Sequence, residues 1–206
     1  MKNTLSIFVF ALLAFPTARV SLAIQLQDGD IVFHTSRSDQ SVAIQKATHS
    51  KYSHMGIVFL LDGNAYVYEA IKTVRYTPLE KWAARGLGGH YVVKRLRDAD
   101  RILFADAIAK LRRTASKFAG KPYDMAFEWS DDSIYCSELV WKIYERALGL
   151  RIGRLQKLRD FDLSAPQVKG KVKQRYGKNI PMEESVISPG EMFLFDGLVV
   201  VGGSEY

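Results

Sequence analysis

His54-Met55-Gly56-Ile57-Val58-Phe59-Leu60-Leu61-Asp62-Gly63-Asn64-Ala65-Tyr66-Val67-Tyr68-Glu69-Ala70-Ile71 is the stretch that decides the fold. Two runs rich in β-branched and aromatic residues flank Asp62-Gly63, a dipeptide favoured in two-residue hairpin turns because both central residues need positive φ. With the turn on Asp62 and Gly63, Leu61 faces Asn64, and stepping outward pairs Val58 with Val67, Gly56 with Glu69 and His54 with Ile71. Directly opposed residues share a face of the sheet, as do residues two apart on one strand. His54 and Glu69 are therefore expected as diagonal neighbours on one face, with Cβ atoms about 7–8 Å apart, within reach of a long carboxylate side chain. A carboxylate beside an imidazole fixes its tautomer and stabilises the protonated ring. An odd-numbered bulge would turn Glu69 to the other face.

Working outward, Gln27-Asp28-Gly29-Asp30 is a turn and Ile31-Val32-Phe33 a short buried strand. His34 is placed in the turn that follows, in solvent, before a helix over Gln40–Thr48. Beyond the hairpin, Pro78–Ala84 is a helical turn with Trp82 inward, Gly86–Gly89 a flexible loop and Tyr91-Val92-Val93 another strand. Phe104, Ile108, Leu111, Ala115 and Phe118 recur at helical spacing and predict an amphipathic helix over Asp100–Ala119, ended by Gly120 and Pro122. A second helix is expected from Ser133 to Leu148, with Asp131, Asp132 or Ser133 as N-cap and Gly149 closing it. Residues 151–178 carry nine Lys or Arg against Asp160 and Asp162. Such a run is usually a solvated face, although it could meet an anionic envelope surface. The remainder, including Phe193–Val201, is expected as short strands, and no internal repeat is present.

The chemistry-bearing candidate outside the hairpin is Cys136, the one cysteine in the chain, expected about three residues into the second helix. Free backbone N–H groups and the helix dipole there favour a thiolate and could receive an oxyanion. By residue type alone, a cysteine in an amphipathic helix is more often an inert small hydrophobe. By the same standard His54 could be a satisfied core histidine and Glu69 a surface carboxylate. His49 and His54, five apart, make no strong metal pattern, and one cysteine excludes both an intramolecular disulfide and a thiolate-rich zinc site.

The chain has 206 residues, 48% hydrophobic and 25% charged, the composition of an ordinary globular protein of about one domain. Residues 1–23 carry Lys2, an apolar run from Leu5 to Phe15, Pro16 and a small-x-small ending at Ser21-Leu22-Ala23, the pattern of a cleaved secretory signal. The apolar run is short for a membrane span of about 20 residues. This divides the chain into a signal over 1–23 and a single domain over 24–206. An exported, periplasmic location follows, and it argues against nucleic acid as a partner. An unpaired thiol in an oxidising compartment also asks for a reason.

Three segments together, Tyr52-Ser53-His54-Met55-Gly56-Ile57-Val58, Tyr66-Val67-Tyr68-Glu69-Ala70 and Tyr135-Cys136-Ser137-Glu138-Leu139-Val140, resemble the YiiX-like family of permuted papain-fold proteins. These are relatives of NlpC-type cell-wall peptidases and of the lecithin:retinol acyltransferase group. The resemblance covers most of the chain after the signal. It implies an α+β fold, a circularly permuted papain-like domain in which an antiparallel sheet carrying the base packs against a helix carrying the thiol. It implies Cys136 as nucleophile, His54 as general base and Glu69 as orienting acid, with no metal and no cofactor. Gly120-Lys121-Pro122-Tyr123 is similar to the tyrosine segment before the nucleophile in NlpC-type enzymes, which implies Tyr123 near the oxyanion site. Those enzymes have Asp-Cys-Ser-Gly where this chain has Tyr-Cys-Ser-Glu, so their peptidoglycan specificity does not transfer.

The expected activity is thiol hydrolysis of an amide or ester in a small-molecule, peptide or lipid-amide substrate, through a thioacyl intermediate. Two alternatives stay open. One is acyl transfer to a lipid or amine acceptor. The other is a non-catalytic binder of lipid or cell-wall fragments, with Tyr66, Tyr68, Trp82, Phe127 and Trp129 as aromatic material.

Overall fold

The structure, a computed structural model, describes residues 25–204, so the proposed signal over 1–23 lies outside the described residues. Six strands form one sheet in the order β4-β3-β2-β1-β5-β8, with every neighbouring pair antiparallel. They are β1 (Ile31–His34), β2 (His54–Leu61), β3 (Asn64–Ala70), β4 (Val74–Pro78), β5 (Val92–Leu96) and β8 (Leu198–Gly203). Two short strands, β6 (Gln156–Lys157) and β7 (Ser185–Val186), pair separately.

The hairpin has the register expected from its turn. Leu61 pairs with Asn64, Val58 with Val67 and Ile57 with Tyr68. Asp62 and Gly63 hold φ of 50° and 77°, the left-handed pair that lets a two-residue turn follow the strand twist. Because side chains alternate, β2 sends Met55, Ile57 and Phe59 into the main core and Val58 into a smaller one with Val32, Val67, Val93 and Trp82. Trp82, fully buried, comes from the one-turn helix α2 (Leu79–Ala83) and lies where Pro78–Ala84 was expected to place it.

The helix α5 (Cys136–Leu148) fills the main core, and its first nine residues are all buried. It starts at Cys136, later than expected. Asp131, a candidate N-cap, instead lies beside the helix and receives Lys142 and Arg146. Gly149 closes the helix with φ of 70°, as a left-handed cap should. The helix expected over 100–119 is two pieces, α3 (Ala99–Ile102) and α4 (Ala105–Ser116). Leu103 and Phe104 leave helical geometry between them, so Phe104 is exposed and Ala107, Leu111, Thr114 and Ala115 make the buried stripe.

Two further readings need correction. His34 is the last residue of β1 and buried, because the strand runs one residue beyond Phe33. Phe193 lies in the helix α7 (Pro189–Leu194), started by a Ser188 side chain that accepts from Glu191 N and by Pro189 at the first turn; the strand begins only at Leu198. α1 (Asp39–Thr48) and α6 (Pro166–Tyr176) pack on each other beside the start of α5.

Candidate active site

His54 opens β2 and Cys136 opens α5, so a strand end and a helix start bring imidazole and sulfur together. Tyr135 precedes the helix in extended conformation, and its N–H is received by Glu138 Oε2 at 3.3 Å. The N–H groups of Cys136 and Ser137 belong to the first turn, which the helical ladder cannot satisfy.

His54 Nε2 lies 2.6 Å from Glu69 Oε2, and both groups are buried. Glu69 shares a face with Val67, which pairs with Val58, and the same-face contact derived from the hairpin is present. Nε2 is thereby committed to the carboxylate, leaving Nδ1 for the sulfur. Burial alone would depress the imidazolium, but hydrogen bonds and charge from Cys136 and Glu69 outweigh it and lift the His54 pKa to about 9. The Glu69 carboxylate also accepts from Thr77 Oγ1 at 2.6 Å and from Arg85 Nη2 at 2.5 Å and 2.6 Å. Burial pushes its pKa up, yet His54, Thr77 and Arg85 hold it down at about 2. It stays ionised throughout the working pH range.

The buried His34 ring packs beside this pair, tilted against His54 with centroids 5.1 Å apart and edge-on to Trp82 at 4.2 Å. Burial, then the neighbouring His54, pulls its pKa to about 3, so it is a neutral wall of the site. α1 is fastened to the strand end by a 2.5 Å contact between the Ser41 and Ser53 hydroxyls. That places Gln40, which sequence reasoning did not single out, to donate to the Tyr123 hydroxyl at 2.9 Å. Burial and the nearby Cys136 raise the Tyr123 pKa well above 10, so the phenol keeps its proton. Having accepted from Gln40, that O–H is free to donate into the cleft.

Two clefts meet here, sharing Gln40, Ile44 and Tyr123. One, on the His54 side, is wide and open, with Arg37, Lys72 and Arg85 in its walls. The other begins at Cys136 and Ser137 and runs among mostly apolar walls, including Ala43, Phe127, Leu158, Val168 and Val172. Phe127 is held there at φ 53°, a strained conformation for a bulky residue. Val168, Val172 and Arg175 come from α6, so the basic segment 151–178 is partly a cavity wall rather than wholly a wet face. Elsewhere in that segment Arg159 pairs with Glu183.

Residues 25–199 match the family described as permuted papain-like amidase enzyme, YaeF/YiiX, C92 family. The chain belongs to the permuted papain-like amidases. It is 51% identical over 193 residues to the Escherichia coli K12 protein YiiX, covering 94% of this chain and 92% of that one. It also resembles the crystal structure of yiiX from Escherichia coli O157:H7, with a TM-score of 0.83 and 51% identity, over 87% of this chain and 98% of that one. Family membership supports a cysteine hydrolase of amidase type.

The O157:H7 protein is described as a metalloprotein. Among the described residues of this family member, no group of three or more His, Cys, Asp or Glu side chains is arranged to hold a metal ion. His54 Nε2 is already engaged by Glu69, and the Glu69 oxygens by Thr77 and Arg85. These residues do not fit a resident metal.

Proposed function

We propose that this chain hydrolyses an amide or ester through a thioacyl intermediate on Cys136. The observation that carries the reading is the buried 2.6 Å His54–Glu69 contact, with the ring's other nitrogen left for a sulfur at a helix start. Cys136 Sγ attacks the carbonyl carbon, and the carbonyl π electrons move onto oxygen. The first-turn N–H groups of α5 and the Tyr123 hydroxyl are the donors available to that oxyanion. His54 passes its Nδ1 proton to the leaving nitrogen or oxygen as the bond to carbon breaks. Water then gives a proton to His54 and attacks the thioester, releasing the carboxylic acid and the thiolate. Glu69 keeps the ring oriented throughout.

Slowing the second step should trap the first product. In His54→Ala incubated with an activated ester, mass spectrometry is expected to find the acyl group on the peptide carrying Cys136, and nothing on that peptide in Cys136→Ser. No acyl group on the Cys136 peptide of His54→Ala, or activated-ester turnover undiminished in Cys136→Ser, would overturn the reading. We further propose that residues 1–23 direct export to the periplasm and that 24–206 form one domain, which predicts a mature protein starting at Ile24 by intact mass.

A further inference from the structure

Arg175 stands out among the charged groups near Cys136. Its Nε and Nη2 are buried and have no hydrogen-bond partner, although the residue lines the apolar cavity that begins at the thiol. The guanidinium carbon sits 4.4 Å from the centre of the Phe127 ring, so one face is covered and the edge remains. Nε and Nη2 form that edge, two parallel N–H donors spaced to meet both oxygens of one carboxylate. Among the described residues, none supplies the carboxylate. Asp124 acts on Arg175 through its charge, but Oδ1 accepts from Ala126 N and Oδ2 is itself without a partner. No Asp or Glu lines either cleft among the described residues, while Arg37, Lys72, Arg85, Lys171 and Arg175 do. Leaving a buried guanidinium edge unpaired is costly, and a ligand oxyanion would remove that cost.

We propose that the cavity beside Cys136 receives an acyl group that is apolar along its length and ends in a carboxylate, with the Arg175 guanidinium as its counter-charge. The inference rests on the hydrolase reading and names the substrate class of that site. Cys136, Arg175 and a majority of apolar side chains line this one cavity, so an acyl group on the thiol shares it with the guanidinium.

The test compares p-nitrophenyl hexanoate with the mono-p-nitrophenyl ester of adipic acid. The native chain should favour the adipate ester in kcat/KM by about ten- to a hundred-fold, the range expected for hydrogen bonds to a charged group. In Arg175→Met that ratio should collapse towards one, and Arg175→Lys should keep part of it. A native ratio near one, or a ratio untouched in Arg175→Met, overturns the proposal while ester turnover leaves the hydrolase reading standing. Calorimetric binding of free hexanoate to Cys136→Ala separates the two ideas without catalysis. Binding lost with Arg175→Met supports the carboxylate site even if no ester is turned over. No binding, or equal competition by inorganic phosphate, rejects it.

Discussion

At the scale of single residues, the site depends on how the charge of Glu69 is shared. The carboxylate holds His54 on one side and Arg85 and Thr77 on the other, so it orients the ring without being neutralised by it. The His54 pKa of about 9 is the net of burial, which lowers it, and of Cys136 and Glu69, which raise it. Glu69→Gln keeps the shape and a hydrogen-bond acceptor but removes the charge. The imidazolium should then lose its proton at lower pH, by about one to three units for a contact this close. The alkaline limb of kcat/KM against pH, expected near 9 in the native chain, should move towards neutrality in the variant. An unmoved limb would mean that Glu69 does not tune the ring. The acidic side of the profile should not report Glu69, since its pKa near 2 lies below any usable range.

At the scale of elements, the hairpin is what joins base to acid, and Gly56 is its tightest point. A Cβ there would lie 2.4 Å from Val67 Cγ1 and 2.7 Å from the Tyr68 carbonyl oxygen, and the latter, being backbone, cannot simply rotate away. Gly56→Ala should therefore push β2 off β3 between His54 and Val58, costing about 1–3 kcal/mol in a urea melt. It should also lower hydrolysis more than a stability-matched core change on β5. Unchanged stability would show that the strands yield freely. This hairpin was legible in the sequence because its turn demands positive φ at two named positions, and a two-residue period then fixes every face. The start of α5 was less legible. Three polar residues, Asp131 to Ser133, looked like caps, but Asp131 is held by Lys142 and Arg146 and the chain turns helical only at Cys136. The break at Leu103–Phe104 was hidden because apolar spacing continues across it while the backbone does not. Gln40 and Arg175 gave no local signal at all. Each becomes interesting only when α1 and α6 pack beside the thiol, which is long-range information.

At the scale of the whole molecule, burying this many ionisable groups makes stability depend on pH in a definite direction. Glu69, held near 2, contributes stability that is present above its unfolded value of 4.5 and lost as pH falls through about 2. His34, pulled to about 3, binds its proton more readily when unfolded, so stability rises with pH between about 3 and 6.5. Glu138 and His54 act the other way. Burial lifts Glu138 to about 7 despite Lys142 at 2.7 Å, so its contribution is present below 4.5 and lost as pH rises through about 7. His54 contributes below 6.5 and loses that contribution as pH rises through about 9. Among these four groups, the rise from His34 and the fall from Glu138 oppose each other between 4.5 and 6.5, and above 6.5 the losses from Glu138 and His54 remain. The urea midpoint is expected to be nearly level from pH 4.5 to 6.5 and to decline towards pH 9. Glu138→Gln isolates one half of this balance, because the amide mimics the protonated acid and leaves Lys142 its bonds to Ser130 and Asp131. In that variant stability should climb between pH 4.5 and 6.5, where the native chain is level, and should exceed the native value at pH 8. If the two chains instead run parallel across this range, Glu138 is ionised in the fold, and the buried start of α5 carries its charge at no cost that folding registers.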